Sequence, residues 1–346
     1  MNVSIIIPVY NVSPYIEDCL WSVMRQTYKG SMECLIVDDC GTDDSIAIVE
    51  QMIAEYDGPI QFKILRHDHN RGLSAARNTG TMQATGDYLY YLDSDDEITN
   101  DCIEKMMEVV KRYPEVEMAQ GNVCRCLKHG LPSNIIKNVY QPVTVTNDDA
   151  RKCFYHYKQM PIPAWNKLLK RTFIIDNSLF FKEGIIYEDL LWTFQLLKCL
   201  NNASFMIDVT YYHKKRLYSI TSGTDIKASA LNYDIIYQDI LTHLTPKHEL
   251  EEITFFTNHI IKCNFRKMHE EHEFVDIVRS CSKKSRLYGG NSLCMESAFL
   301  CFLVKFKHGW IVWEQLNRLR HPSLLCRDMK RIKSKLFPPS SYPTLN

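Results

Sequence analysis

Four apolar runs in the first hundred residues each end in a polar cluster, and helical stretches separate them. This alternation constrains the fold of the 346-residue chain more than any other feature. Val3-Ser-Ile-Ile-Ile-Pro-Val is almost continuously apolar, as a strand buried on both faces requires. Cys34 to Val37, Phe62 to Leu65 and Tyr88 to Leu92 are the other three runs. Between them, Ile16, Leu20 and Val23, and then Ile46, Val49 and Ile53, recur at helical spacing, and Ser74 to Ala84 reads as a third helix. Ser13-Pro14 predicts the first helix start, an N-cap followed by proline. Gly58-Pro59 and Gly86 punctuate the later elements. Strands alternating with helices of this length predict an α/β fold whose mostly parallel sheet is covered on both faces.

Beyond residue 115 the pattern loosens. A strand near Val116 to Gln120 precedes irregular sequence through Val145, and Asp148 to Tyr157 reads as a helix. Glu188 to Leu200 is a helix with Leu191, Phe194 and Leu197 inward, and after Tyr212 the chain turns largely helical. The expected division is a domain over 1–225 and a mainly helical region over 226–346.

With 45% apolar and 24% charged residues, disorder, collagen-like repeats and a disulfide miniprotein are excluded. Lys and Arg balance Asp and Glu at 41 each, which removes the general case for nucleic-acid binding. The balance hides an asymmetry: residues 1–100 carry a net −10 and residues 101–346 a net +10. No apolar run approaches the ~18 residues of a membrane span, and Met1 leads into the first strand without signal-peptide features. Thirteen scattered cysteines then read as reduced thiols, and the expected location is cytoplasmic. Cys124, Cys126 and His129 lack the second ligand pair of a zinc site. Residues 303–335 hold nine Lys or Arg interleaved with Phe306, Trp310 and Trp313. That segment fits two readings: a peripheral contact with the inner face of an anionic membrane, or a helical appendage with a solvated basic face.

The polar clusters carry the chemistry. Tyr10-Asn11, Asp38-Asp39, His67 to Arg71 and Asp93-Ser-Asp-Asp each follow a strand, and open α/β sheets bind ligands outside those strand ends. Asp93 and Asp95 are two apart, so both can face one hard cation such as Mg²⁺ or Mn²⁺; a simple turn would use the same residue types. Neither G-x-G-x-x-G after a strand nor G-x-x-x-x-G-K-[ST] occurs, which argues against a dinucleotide dehydrogenase and a P-loop NTPase.

Six ordered motifs resemble family 2 glycosyltransferases of the GT-A fold, the bacterial polysaccharide type. They are SIIIPVYN at Ser4–Asn11, LIVDDCGTDDS at Leu35–Ser45, HNRGLSAARNTG at His69–Gly80, YLDSDD at Tyr91–Asp96, WNKLLKRTFI at Trp165–Ile174 and YEDLLW at Tyr187–Trp192. Cys40-Gly41 stands where the family more often has Gly-Ser. The resemblance covers roughly residues 1–220. It implies a GT-A, Rossmann-like fold with a C-terminal helical region, and inverting transfer of a sugar from a nucleotide diphosphate, most simply a UDP-sugar, to a hydroxyl of a glycan or lipid-linked acceptor.

Carried over residue by residue, the resemblance puts Tyr10 on the base, Asp39 on the uracil N3–H and Asp38 on the loop or the base. It puts Arg77 at the pyrophosphate, Asp95 on the metal, and Asp93 between metal and ribose with Ser94 beside it. Asp189 is implied as general base and Glu188 as its helper or an acceptor contact. Trp165, Lys167 and His213 are expected near the acceptor or diphosphate: Trp165 as a sugar-stacking wall or as core, Lys167 on a phosphate or supporting the acceptor loop. Two other readings compete: a catalytically silent carbohydrate-binding or scaffold protein on the same fold, and a sugar-phosphate nucleotidyltransferase. The latter needs a glycine-rich basic loop after the first strand, where Pro8-Val-Tyr-Asn stands.

Overall fold

Strand β1 (Val3–Val9) is buried along its whole length and has strands paired on both sides. It runs parallel to β2 (Met32–Asp38) and to β4 (Tyr88–Tyr91), so Ile5 lies against Cys34 and Tyr90. A strand walled in by neighbours and covered on both faces has no place for polar side chains, which is why its sequence is continuously apolar. The computed structural model describes residues 1–126, 132–136, 144–155, 160–214 and most of 226–259. The sheet reads β3-β2-β1-β4-β9-β6-β10-β5, with β3 at Gln61–Arg66, β5 at Glu97–Ile98, β6 at Met118–Cys126, β9 at Lys167–Lys170 and β10 at Asn202–Lys214. Two further strands, β7 (Pro132–Ile136) and β8 (Thr144–Thr146), pair with β6 and β10.

The helices are α1 (Ile16–Met24), α2 (Ser45–Ala54), α3 (Leu73–Gln83), α4 (Cys102–Arg112), α5 (Asn147–Tyr155), α6 (Arg171–Asp176), α7 (Glu188–Cys199) and α8 (Ile226–Thr242). The core beneath β1 gathers Ile5, Ile7, Ile16, Leu20, Val23, Ile36, Tyr90, Ile103 and Met106. Helix α1 starts later than Ser13-Pro14 predicts. The Ser13 and Val12 amides donate to Asp43 Oδ2 (2.8 Å) and Ser45 Oγ (2.9 Å), so this stretch is strapped to the start of α2 and Tyr15 takes the N-cap position.

The expected parallel α/β sheet holds on its β3-β2-β1-β4 side and changes character beyond. Strand β9 runs antiparallel to both β4 and β6, with Tyr90 against Leu168 and Gln120 against Lys167. Reversal brings the start of β9, rather than its end, beside the carboxyl end of β4. Strand β10 runs parallel to β6 and antiparallel to β5, with Tyr211 against Ile98. Residues distant in sequence thereby reach one rim of the sheet.

The chain divides into two compact units, Met1–Thr224 with Ile235–His243, and Asp225–Asp234 with Leu244–Asn346. Every residue of the site below belongs to the first. In the second, the described residues are mostly helical. The basic segment 303–335, with the rest of 260–346, lies outside the described residues. Among the described residues no helix is long and apolar enough to cross a membrane.

Candidate active site

Arg77, on α3, has no exposed side-chain surface and is held by three carboxylates. Its Nη2 donates to Asp93 Oδ1 at 2.9 Å, and its Nη1 to Glu188 Oε1 at 3.0 Å and Asp189 Oδ1 at 2.9 Å. The Phe181 ring packs 5.0 Å from the guanidinium carbon. Burial opposes the cation, but Asp189, Asp93 and Glu188 outweigh it and raise the Arg77 pKa. The structure places Arg77, expected at the pyrophosphate, among carboxylates of the protein: it donates three hydrogen bonds to them, its buried Nε has no partner among the described residues, and it ties the turn after β4 to the first turn of α7.

Glu188 and Asp189 open α7 behind Tyr187, whose φ of 65° is left-handed. Burial, reinforced by Asp189 and opposed by Arg77, pushes the Glu188 carboxyl up to about 7. Burial also raises Asp189, against the pull of Arg77. Asp189 Oδ1 accepts from Arg77 and from the Ala164 amide at 3.1 Å, so both bonds fall on one oxygen. Oδ2 is left for a proton, and the side chain is 18% exposed.

The turn after β4 brings Asp93, Asp95 and Asp96 together, with one carboxylate oxygen of each within 4.8 Å of the others. Asp96 is buried and accepts from Tyr211 Oη at 2.7 Å and the Lys214 amide at 2.8 Å. Burial, with Asp95 and Asp93 adding to it, raises its pKa well above the ordinary carboxyl value. Ser94 is buried within the turn. Hard oxygen donors at this spacing fit a divalent cation: Asp93 and Asp95, partly exposed, would hold it, and Asp96 is occupied in fixing the turn. Sequence reasoning did not name Asp96 as a separate contributor, although it stands in the same Asp-Ser-Asp-Asp run.

At the carboxyl ends of β1 and β2, Tyr10 is 44% exposed and its ring is open to a ligand. Asn11 has a φ of 51°, and its Oδ1 accepts from the Thr42 amide at 2.8 Å. Asp38 caps the next turn, accepting from the Cys40 amide at 3.1 Å. Asp39 is buried: Oδ1 pairs with His67 Nδ1 at 2.7 Å and accepts from the Arg71 amide at 2.8 Å, while Oδ2 accepts from the Gly72 amide at 2.8 Å. Such a carboxylate fixes the 67–72 loop. His67, held on its other side by Thr79 Oγ1 at 2.9 Å, is a contributor that sequence reasoning noticed only as part of a polar cluster.

The residues expected toward the acceptor divide. Trp165 is 6% exposed, stacks on Tyr211 (centroids 4.5 Å, planes 11°) and lies 5.6 Å from the His213 ring, so most of its surface is core. Tyr211 and His213 are two apart on β10 and share a face, which is how one indole meets both. His213 is half-buried; burial lowers its pKa, and Arg125 lowers it further. Lys167 is fully buried and donates to the carbonyls of Pro161 (3.0 Å) and Pro163, so it supports a loop rather than reaching a phosphate.

Residues 4–173 match the model of glycosyl transferase family 2. The chain belongs to that family. It is 33% identical over 199 residues to glycosyltransferase GlyA of Streptococcus pneumoniae, covering 54% of this chain and 27% of GlyA. It is 37% identical over 228 residues to EpsJ of Bacillus subtilis, an uncharacterized glycosyltransferase, covering 63% and 62%. The Staphylococcus aureus poly(ribitol-phosphate) beta-N-acetylglucosaminyltransferase TarS is 28% identical over 220 residues, 62% of this chain and 35% of TarS. A crystal structure of TarS residues 1–349 with UDP-GlcNAc superposes with a TM-score of 0.66 at 21% identity, covering 82% of this chain and 81% of that one. The family 2 member described here thus has the GT-A fold that its motifs implied, and it spans less than two thirds of the length of these curated relatives.

Proposed function

We propose that this chain is an inverting glycosyltransferase that moves a sugar from a UDP-sugar to a hydroxyl of a glycan or lipid-linked acceptor. The observation that carries the reading is the single buried guanidinium joining the acidic turn at Asp93 to the Glu188-Asp189 pair. Cation binding beside the leaving group and base chemistry at the acceptor would thereby be held in one frame. TarS, by its name, forms a β-linkage, and its crystal structure contains UDP-GlcNAc, which supports a UDP-sugar donor here.

Tyr10 stacks on the uracil, a contact commonly contributing ~1–3 kcal/mol, and Asp38 and Asp39 shape the loops that receive it. Asp93 and Asp95 would hold Mg²⁺ or Mn²⁺, which would supply positive charge to offset that developing on the diphosphate. Ser94 lines the donor side of the turn. Asp189 takes the acceptor proton on Oδ2 as the hydroxyl attacks the anomeric carbon, and its raised pKa suits a base working near neutral pH. Glu188 shares Arg77 with it and orients it. One displacement with one base inverts the anomeric centre, so an α-linked donor gives a β-linked product. Trp165 and His213 form the wall beside the turn.

Incubation with a panel of UDP-, GDP- and TDP-sugars should give nucleoside diphosphate release with one UDP-sugar, only in Mg²⁺ or Mn²⁺ and abolished by EDTA. Release unaffected by chelation would overturn the metal assignment, and no release from any donor would favour the silent-scaffold reading. The basic segment 303–335 supports a peripheral contact with an anionic membrane. Cosedimentation with phosphatidylglycerol vesicles should disappear on deletion of residues 297–346, and persistence of binding would remove that part of the proposal.

A further inference from the structure

The chain between Met160 and β9 lies over the start of α7, and four consecutive residues of it are tied down by side chains. The carbonyls of Pro161 and Pro163 accept from Lys167 Nζ. The carbonyl of Ile162 accepts from Thr193 Oγ1 at 2.6 Å. The amide of Ala164 donates to Asp189 Oδ1 at 3.1 Å. Thr193 and Asp189 are four apart, one turn along the same face of α7, so the loop is pinned twice to the helix that carries the proposed base. Two prolines further restrict its backbone.

Lys167 is an expensive choice for that task. Its side chain is fully buried, and among the described residues no carboxylate lies within 4.0 Å of its Nζ. Two peptide carbonyls accept from its Nζ. Burial pulls its pKa down to about 7, against the pull of Asp189, a cost tolerated where the group fixes something, and among the described residues its hydrogen bonds go to the loop carbonyls. The loop's next residue, in turn, fixes Asp189 Oδ1.

We infer that Lys167 is a positioning residue for the base, acting through the Pro161–Ala164 loop. It sets which carboxylate oxygen of Asp189 is bound and which faces the acceptor. The inference rests on Asp189 being the base. It differs from a phosphate contact, which would act on donor affinity, and from a merely structural buried lysine, which would act on stability alone.

The test compares wild type, Lys167→Met, Thr193→Val and Asp189→Asn on whichever of UDP-glucose, UDP-galactose and UDP-N-acetylglucosamine the wild type turns over fastest. Calorimetric titration with UDP and Mn²⁺ accompanies it. Displacing a reacting group by about an ångström can cost on the order of 100-fold. Lys167→Met should therefore lower kcat by about 10- to 100-fold, with donor KM and UDP affinity within about twofold of wild type. Thr193→Val, which removes the second pin and no charge, should lower kcat in the same direction by several-fold, and it carries the test if Lys167→Met does not fold. Adding Lys167→Met to Asp189→Asn should cause no further loss of kcat. Unchanged kcat in the folded single variants, a loss confined to donor affinity, or a further loss in the double variant overturns the inference. Full activity in Asp189→Asn instead overturns the assignment of the base, whatever Lys167 does.

Discussion

Arg77 concentrates the energetics of the site in one residue. Breaking a buried ion pair by removing one partner typically costs roughly 3–5 kcal/mol, because the charge left behind is uncompensated. Arg77→Met strands three carboxylates, so urea unfolding should show destabilisation of about that size; a loss under ~1 kcal/mol would contradict the hub. Glu188 gives a pH signature with a definite sign. Its folded-state pKa of about 7 lies above its ordinary value of 4.5. The folded state then binds the extra proton between those values, and the contribution of Glu188 to stability falls as pH rises from about 4.5 to 7. Glu188→Gln should flatten that decline in urea midpoints measured across the window; a parallel decline in the variant would refute it. The role of Arg77 was not legible in the sequence, because its partners stand 16, 111 and 112 positions away and only the fold brings them to it. Asp93, Asp95 and Asp189 stand out as candidates in the sequence because their motifs are local.

At the level of elements, α3 reaches its place by pressing a glycine onto β1. A Cβ at Gly80 would sit 2.4 Å from Ile6 Cγ2, a buried atom in the middle of the sheet. Alanine would gain ~1 kcal/mol of helix propensity, but overpacking a core commonly costs ~1–3 kcal/mol. Since the clash is deep and Ile6 cannot swing away, Gly80→Ala should lower the thermal midpoint; an unchanged or higher midpoint would show that the contact yields. The strands around β1 were readable because burial on both faces writes a continuous apolar run. Strand β9 was not: Lys167–Lys170 is four residues with a lysine at each end, and its antiparallel direction is a tertiary fact. Strand β10 escaped notice because Asp208, His213 and Lys214 interrupt its pattern, and β5 has only two residues. Helix α4 left a signal that reading could have used, since Cys102, Ile103, Met106, Met107 and Val110 mark one face at helical spacing and all are buried.

Across the whole molecule, the neutral chain resolves into an acidic first hundred residues and a basic remainder. The acidic part supplies the proposed cation ligands, while the proposed base and the loop that supports it come from residues 161–193, carried to the same rim by the reversed strand β9. Metal-side and base-side groups are thus far apart in sequence and share Arg77 in space. Asp189 is proposed to accept the acceptor's proton, and Asp189→Asn tests this most directly because the amide keeps the size and loses the basicity. UDP release from the preferred UDP-sugar, followed beside a UDP–Mn²⁺ binding titration, should fall by about 100-fold or more, within the range of general base catalysis, while UDP affinity stays within about twofold. Release at the wild-type rate from the folded variant would contradict the account.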